Sequence, residues 1–408
     1  MLRRRILWVF YFAVFIKSST YGVMFTMLDD YRDRFGISEG GLGLVVAVGF
    51  FTSFAAQLLI APLADRGHAK RLMLLGHVLA VGGALTMGFG TTLGALLAGR
   101  VLAGIGVGTA LPALRRAIIV TDPDNLGRNL GLILSMEVAG FASGPVLSTI
   151  LVGPFGIPAP YLVSGALMAA AAVAIAGTRI AETAREDAPT ERFALDLLRI
   201  PAVASGVLIG VTLFFMIGIF DSLWVLVMDD MGSPSWMANV GISVFVIPMI
   251  FMGPFGGRFV QRVGPFRAGG TGMLVGAACM CGYGVLPSAW LMMVAFLVHT
   301  LNDGLTVTGA GVATASSAPL ERQAGAQGLL GGMETLAGGI AAMLAGVSYE
   351  AFGRTVTFVG TAAIMVALLT AARVLAGDAW GRRDVRATSG DGGMVDGGMV
   401  AAVDGATS

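Results

Sequence analysis

The sequence predicts an all-α membrane protein in which twelve transmembrane helices form two parallel six-helix repeats (6+6) around a central cavity. Three observations lead to this class: few charged residues, long apolar blocks, and an internal repeat. The chain of 408 residues is 56% hydrophobic and 12% charged, whereas an ordinary soluble domain has about 25% charged residues. Its mean hydropathy is +0.82.

The apolar residues fall into blocks long enough to cross a bilayer, because about 20 helical residues span roughly 30 Å of hydrocarbon. We number them as spans 1 to 12, at residues 6–28, 40–62, 71–90, 92–113, 128–151, 159–177, 202–228, 237–257, 267–287, 290–314, 325–347 and 355–376. The first block is longer than the apolar region of a signal peptide and contains Lys17. We therefore expect it to be a membrane span.

Arginine and lysine predict the orientation of the spans. Most of those outside the spans lie before span 1, after span 12, and in the loops that join spans 2–3, 4–5, 6–7, 8–9 and 10–11. The opposite loops hold only Arg32, Arg34 and Arg354. In this count Arg115 and Arg116 belong to the loop between spans 4 and 5. The positive-inside rule then predicts a multi-pass protein of the cell membrane with both termini in the cytoplasm.

Polar segments predict the domain boundaries. The charged segment 178–198 is expected to be a cytoplasmic linker between a bundle of six helices at 1–177 and a second bundle at 199–376. The segment 377–408 is expected to be a cytoplasmic, disordered tail. Its part 387–408 repeats the string GGMV and is rich in Gly, Ser and Asp.

The two halves of the sequence resemble each other. Residues 135–156 match 332–353 at an offset of 197, which aligns Glu137 with Glu334. Residues 64–71 match 260–267 at an offset near 196, and the acidic pair at 29–30 matches 229–230. A half with an even number of spans keeps its orientation, so the repeat is parallel. Secondary transporters have such repeats, with a binding site near the midplane between them.

Three motifs carry a family resemblance over residues 1 to about 380. APLADRGHAKR (61–71) is similar to the cytoplasmic motif A of the major facilitator superfamily, although Ala61 replaces its first glycine and Gly67 lies one place early. RVLAGIGVG (100–108) resembles motif B, and GFASGPVLS (140–148) is close to the antiporter motif C. With the 6+6 layout, the chain most resembles the branch of proton-coupled drug and metabolite antiporters.

The resemblance implies roles for these motifs. Motif A would form a cytoplasmic gate from charges at a helix end, namely Asp65, Arg66, Lys70 and Arg71. Motif C would allow close helix packing and a local kink in span 5 through Gly140, Gly144 and Pro145.

Six charged residues lie inside the predicted spans: Lys17, Arg100, Glu137, Asp221, Asp303 and Glu334. Each costs roughly 2.5–3.5 kcal/mol at a helix centre, so these side chains should face water, substrate or one another. In the family, spans 1, 4, 7 and 10 line the cavity, and spans 5 and 11 flank it. Tyr21, one turn from Lys17, and Asn302, beside Asp303, complete the predicted site for substrate and protons.

We therefore expect a secondary transporter that moves a small organic solute by alternating access. The first hypothesis is proton-coupled export, with Glu137, Asp303 and Glu334 as proton carriers. The second hypothesis is uptake or exchange of an organic anion anchored by Lys17 and Arg100. A membrane sensor or assembly factor without transport activity is a more distant alternative.

The sequence predicts no enzyme, cofactor or metal site. It contains no Walker A string, and His68, His77 and His299 are scattered. The net charge of +1 gives no reason to expect a nucleic-acid partner. The expected partners are a small-molecule substrate, protons and the lipid bilayer, and the chain is expected to be a monomer.

Overall fold

A computed structural model describes residues 2–183, 188–234, 236–237 and 241–383. The regular elements in this part are helices. Spans 1 to 6 are Leu2–Thr26, Glu39–Leu59, Ala69–Phe89, Leu93–Thr121, Leu126–Phe155 and Pro158–Ala176. Spans 7 to 10 are Pro201–Asp230, Gly241–Val263, Pro265–Val285 and Ala289–Ser317. Spans 11 and 12 lie in one stretch, Gln323–Ala376.

Spans 11 and 12 are separated by a sharp turn. A straight helix of 54 residues would be about 80 Å long, more than twice the thickness of the hydrocarbon. The chain turns at Gly353, with φ 74° and ψ 176°. Gly156, between spans 5 and 6, has nearly the same conformation, with φ 79° and ψ 176°. Both conformations favour glycine, and both follow a phenylalanine, so the repeat of offset 197 is present in the backbone.

The prediction of twelve membrane helices is confirmed. Ten segments of the described chain are long and apolar enough to cross a bilayer, and the last of them, Leu320–Gly381, contains the turn at Gly353. The helix Gly241–Val263 supplies span 8.

Span 4 is longer than predicted, which corrects the assignment of two arginines. Its helix ends at Thr121 instead of residue 113, so Arg115 and Arg116 lie within the helix and not in a loop. The reason is that the apolar surface continues beyond the arginine pair: Ile118 and Ile119 are fully buried.

Two other segments differ from the predictions. The loop after span 1 contains the short amphipathic helix Leu28–Phe35. The segment predicted to be disordered from residue 377 begins with a 3-10 helix, Gly377–Gly381. Trp380 anchors it, because the Arg373 guanidinium lies 5.2 Å from the centre of its ring and the ring packs on Gly270. The GGMV segment 387–408 lies outside the described residues.

Small residues bring spans 1 and 5 into close contact. A Cβ atom on Gly144 would collide with the backbone of Gly22, and one on Gly140 would collide with the carbonyl oxygen of Phe15. Pro145 lies inside span 5. The residues of motif C therefore lie where the helix axes approach most closely, as small residues do in membrane helix pairs. In the second half, Gly218 of span 7 packs on Gly338 of span 11 in the equivalent way.

The two halves meet tightly at one end of the molecule. Span 5 crosses span 8 with Gly127 against Gly257 and Gly131 against Gly253. Gly328 of span 11 packs on Gln57 of span 2. We call this the inner end and the opposite one the outer end. The arginine-rich loops lie at the inner end.

Candidate functional site

A cavity of about 450 Å³ lies between the two halves. Such a volume is typical of small-molecule sites. Most of its wall is apolar and comes from spans 1 to 6. The second half contributes Phe214, Met249, Gly331, Glu334 and Thr335.

Three charged side chains form an ion-pair cluster in this cavity. Lys17 Nζ lies 3.7 Å from Glu137 Oε1. Arg115 Nη2 lies 3.4 Å from each oxygen of the same carboxylate. The three side chains come from spans 1, 5 and 4, and they are 12%, 21% and 15% exposed. Glu137 therefore holds Lys17 and Arg115 together.

Glu334 faces the same space from span 11 of the other half. It is the repeat counterpart of Glu137 and is 5% exposed. Glu137, Arg115 and Glu334 line both the central cavity and a smaller pocket next to it. Within the described ranges, the Glu334 carboxylate has no ion pair within 4 Å, although it interacts electrostatically with Arg115. Arg115 thus shares one pocket with two acids, one from each half.

Arg100 lies nearer the outer end of the same helix. It is 3% exposed, and its Nε donates a hydrogen bond of 3.2 Å to the Val45 carbonyl oxygen. Its guanidinium carbon is 5.1 Å from the centre of the Tyr21 ring. In the part of the chain that the structure describes, Arg100 has no ion pair.

The second half holds a separate polar cluster. Asp303 Oδ2 is 3.4 Å from His299 Nε2, and His299 Nδ1 is 3.0 Å from the Tyr283 hydroxyl. Asp221 interacts electrostatically with Asp303. Asn302 donates to the carbonyl oxygen of Gly272 on span 9, at 2.9 Å.

The predicted site is consequently divided. Lys17, Tyr21, Arg100, Glu137 and Glu334 line the cavity, whereas Asp221, Asn302 and Asp303 are not among its lining residues. In the described ranges, no group of three or more His, Cys, Asp or Glu side chains could hold a metal ion.

Asp65 of motif A joins the two halves at the inner end. Its Oδ1 accepts a hydrogen bond of 2.9 Å from the Ala324 N–H, and its Oδ2 accepts one of 2.6 Å from the Gly325 N–H. Arg116 Nε also donates to Oδ1, at 3.1 Å. The carboxylate is 1% exposed and caps the N-terminus of span 11, where the helix dipole favours a negative charge.

Gln261 makes the equivalent contact in the opposite direction. Its Oε1 accepts a hydrogen bond of 2.9 Å from the Gly127 N–H at the start of span 5. Its Nε2 donates one of 2.9 Å to the Asp124 carbonyl oxygen. Gln261 aligns with Asp65 at an offset of 196, and Gly127 aligns with Ala324 at 197. The inner end therefore has two symmetry-related contacts, which we call the Asp65 latch and the Gln261 latch.

The other residues of motif A bind within the first half or point to solvent. Lys70 Nζ donates to the carbonyl oxygens of Ala176 and Thr178, at 2.7 and 2.8 Å. Arg71 is exposed and Arg66 is half-buried. Among the described residues, only Asp65 of the four predicted gate residues bonds to the other half.

Sequence reasoning missed Arg115, Arg116 and Gln261. The sequence could have indicated Arg115, because it continues a series at helical spacing along span 4. The series is Arg100, Gly104, Val107, Leu111 and Arg115, and all five line the cavity. The sequence could also have indicated Gln261, because it aligns with Asp65 in the repeat. No sequence pattern indicated Arg116, since its role depends on where the motif A loop folds.

Comparisons with known proteins agree with this architecture. A sequence model described as Major Facilitator Superfamily matches residues 7–242 and 206–389. The chain is 26% identical over 149 residues to the putative uncharacterized transporter YgaY of Escherichia coli K12. It is 27% identical over 145 residues to the quinolone resistance protein NorA of Staphylococcus aureus. These matches cover 36% and 34% of this chain, and the chain spans only 38% and 36% of those two relatives.

Solved structures share the fold at low identity. The human organic anion transporter MFSD10 superposes with a TM-score of 0.74 at 16% identity, over 91% of this chain and 100% of that one. The fucose:proton symporter FucP of E. coli superposes with a TM-score of 0.76 at 14% identity, over 92% and 100%. At these identities the likeness concerns the fold alone.

Proposed function

Because the chain belongs to the Major Facilitator Superfamily and is therefore a membrane transporter rather than an enzyme, we propose that it is a secondary transporter that exports a small organic solute in exchange for protons. One observation carries the proton coupling: Arg115 pairs with Glu137 and shares a pocket with Glu334, and these two acids are equivalent in the two repeats.

The coupling follows from the cost of buried charge. A buried ion without a partner costs several kcal/mol, so cations and carboxylates in the cavity compete for one another. When a proton binds Glu137, this carboxyl loses its charge and releases Arg115. Arg115 then pairs with Glu334 of the other half. One proton thereby changes which half holds the shared cation.

The latches link this exchange to alternating access. In this structure the inner end is closed by the Asp65 and Gln261 latches. Phe50 and Phe141 line the cavity on the side away from these latches, and 39% and 42% of their surfaces are exposed. We assign this arrangement to the outward-facing state, with both termini on the cytoplasmic side of the cell membrane. Release of the latches opens the inner end.

Two observations support export rather than uptake. The antiporter motif C is present, and its Gly144 lies at the closest approach of spans 1 and 5. The partial match to a quinolone resistance protein points the same way. The alternative is an organic anion anchored by Lys17 and Arg100. The role of Lys17 in it is less well supported, because Glu137 already pairs with that side chain.

The test measures efflux from proteoliposomes that contain the full chain and are loaded with the quinolone norfloxacin. Acidifying the external medium should accelerate efflux by about tenfold, which corresponds to about 1.4 kcal/mol, and a protonophore should abolish the acceleration. Glu137→Gln should remove the response to the gradient and keep exchange between internal and external norfloxacin. Glu350→Gln is the matched control, because Glu350 is an exposed glutamate on the same helix as Glu334.

Two results would contradict the proposal. Norfloxacin efflux that is insensitive to the gradient would exclude coupling through this cluster. Efflux that accelerates only when the interior is the acidic side would indicate symport of solute and protons.

A further inference from the structure

In the part of the chain that the structure describes, the cavity contains one cation without an acidic partner. Lys17 and Arg115 share the Glu137 carboxylate. Arg100 has no ion pair within the described ranges, and its buried Nη2 has no hydrogen-bond partner there. Its Nε donates a hydrogen bond to the Val45 carbonyl oxygen. A guanidinium has five donors in a planar fork that suits a carboxylate or a similar anion.

The surroundings of Arg100 hold the guanidinium in one place. Gly49 of span 2 lies directly against it, so that a Cβ atom on Gly49 would collide with Nη2 and Cζ and would lie 2.6 Å from Nε. The Tyr21 ring covers it from span 1. The Tyr21 hydroxyl is also buried and interacts with Arg100. Arg100 and Tyr21 thus form one polar site in the wall of the cavity.

We propose that Arg100 and Tyr21 bind the negatively charged group of the transported solute, and that this solute is an amphipathic organic monoanion. The inference rests on the proposed transport function and names the class of its substrate. Arg100 carries a single charge, so one carboxylate, sulfonate or similar group suffices to pair it. The unpaired guanidinium is costly inside the membrane, and binding of the anion removes this cost.

An apolar body fits the space beside this subsite. The Tyr21 ring packs against Phe25 at 5.0 Å and against Phe50 and Phe141 at 6.1 Å between ring centres. Phe50 and Phe141 line the cavity and are partly exposed to it. Aromatic groups of a solute stack favourably on such rings.

The anion subsite is separate from the coupling cluster. Arg100 and Arg115 are 15 residues apart on span 4, which is about 22 Å along a helix. A bound anion at Arg100 therefore leaves the pairing of Arg115 with Glu137 intact. Binding and coupling can be tested independently for this reason.

The test compares three probes that share one aromatic body and differ in charge: 2-naphthoate, 2-naphthamide and 2-naphthylmethylammonium. Their dissociation constants are measured by calorimetry on the purified full chain in detergent, where no gradient exists. The proposal predicts that 2-naphthoate binds at least tenfold more tightly than the other two. Arg100→Gln should abolish this preference, Arg100→Lys should reduce it, and Gly49→Ala should weaken 2-naphthoate binding by displacing the guanidinium. Arg258→Gln, which removes an exposed arginine of span 8, should change nothing.

The outcomes separate this inference from the proposed function. A preference for 2-naphthoate that survives Arg100→Gln, equal affinities for the three probes, or no binding of 2-naphthoate would overturn the anion subsite, whatever the proteoliposomes show. Preferred binding of 2-naphthoate that depends on Arg100 supports the subsite even if efflux proves insensitive to a proton gradient.

Discussion

The two halves of the transporter share a backbone fold but differ in the ion pairs that their acidic residues form. In the first half, the cavity acid Glu137 has two cations within 4 Å. In the second half, its counterpart Glu334 has none within the described ranges, and Asp303 has only the imidazole of His299. The backbone follows the repeat closely, as the matching turns at Gly156 and Gly353 show. Within the described ranges, this unequal distribution leaves Glu334 without an ion pair while Arg115 is paired with Glu137.

The two latches differ in the same way. In the Asp65 latch a buried carboxylate, paired with Arg116 in its own half, accepts from two backbone N–H groups, whereas the Gln261 latch includes two neutral hydrogen bonds. A hydrogen bond to a charged group contributes about 1.5–3 kcal/mol. A neutral hydrogen bond contributes about 0.5–1.5 kcal/mol. We therefore expect the Asp65 latch to dominate closure of the inner end.

The largest expected effect follows from breaking the stronger latch. Asp65→Asn should shift the equilibrium toward an open inner end by about tenfold or more, since it replaces the charged acceptor of the Ala324 and Gly325 N–H groups with a neutral amide. Gln261→Ala should shift it by less than about tenfold. Spin labels at Arg71→Cys and Arg262→Cys, both exposed at the inner end, report the distance between the halves in a Cys279→Ser/Cys281→Ser background. Equal shifts in the two variants would show that the latches are equivalent.

The next effect concerns helix packing in the two halves. Gly144 of span 5 aligns in the repeat with Ala341 of span 11. The contact between spans 1 and 5 therefore leaves less room for a side chain than the contact between spans 7 and 11. Gly144→Ala should lower the free energy of unfolding by about 1–3 kcal/mol, because the new methyl group collides with span 1. Thermal unfolding in one detergent measures this loss.

Gly153→Ala is the matched control for Gly144→Ala. Gly153 lies on the same helix with nothing within 4 Å of a new Cβ atom, and alanine is the better helix former by about 1 kcal/mol. It should not lower the melting temperature. If both variants lose the same stability, the close approach of spans 1 and 5 is not the cause.

A smaller effect separates the acids of the second half. Glu334→Gln should slow gradient-driven norfloxacin efflux by about tenfold, or about 1.4 kcal/mol, because Arg115 loses its second partner. Asp303→Asn should slow it less than about twofold, since Asp303 does not line the central cavity. The proteoliposome assay with an acidified external medium measures both rates. A larger loss of efflux rate for Asp303→Asn than for Glu334→Gln would indicate that the coupling site lies within the second half.

The smallest expected effect concerns the linker. Arg322 donates hydrogen bonds of 2.8 and 2.7 Å to the two oxygens of Asp196, and they hold the pKa of this carboxyl below its ordinary value. Because the folded-state pKa is the lower one, the contribution is present above the unfolded pKa of about 3.9 and is lost as the pH falls through the folded value. Asp196→Asn should cost about 0.5–1 kcal/mol at pH 7.

This cost of Asp196→Asn should shrink in acid. Thermal unfolding of the wild type and the variant at neutral pH and below about pH 4 measures the difference between them. A difference that stays constant across this range would show that the charge of Asp196 does not contribute.

Most of the fold could be predicted from the sequence, because apolar blocks and an internal repeat are local or additive signals. The pairing of Lys17 with Glu137 could be anticipated, since span 1 and span 5 are neighbours in the family. The roles of Arg115 and Arg116 could not be separated. Adjacent residues of a helix point about 100° apart, so Arg115 faces the cavity and Arg116 faces the latch.

The exclusion of Asp303 from the cavity lining could not be predicted either. It depends on the rotation of span 10, which turns Asn302 toward Gly272 of span 9 and Asp303 toward the aromatic side chains around His299. The lack of an ion pair at Arg100 within the described residues is likewise a tertiary property, because it depends on which side chains the packing brings near the guanidinium.

A double-mutant cycle tests most directly whether Arg115 serves both acids. Gradient-driven norfloxacin efflux is measured for the single variants Arg115→Gln, Glu137→Gln and Glu334→Gln. It is then measured for the two double variants that combine Arg115→Gln with one of the glutamate changes. The control cycle combines Arg115→Gln with Asp303→Asn. The account predicts that Arg115 couples to Glu137 and to Glu334 by about 1–3 kcal/mol each, whereas its effect and that of Asp303 add within about 0.5 kcal/mol. Additive effects of Arg115 and Glu334 would contradict it.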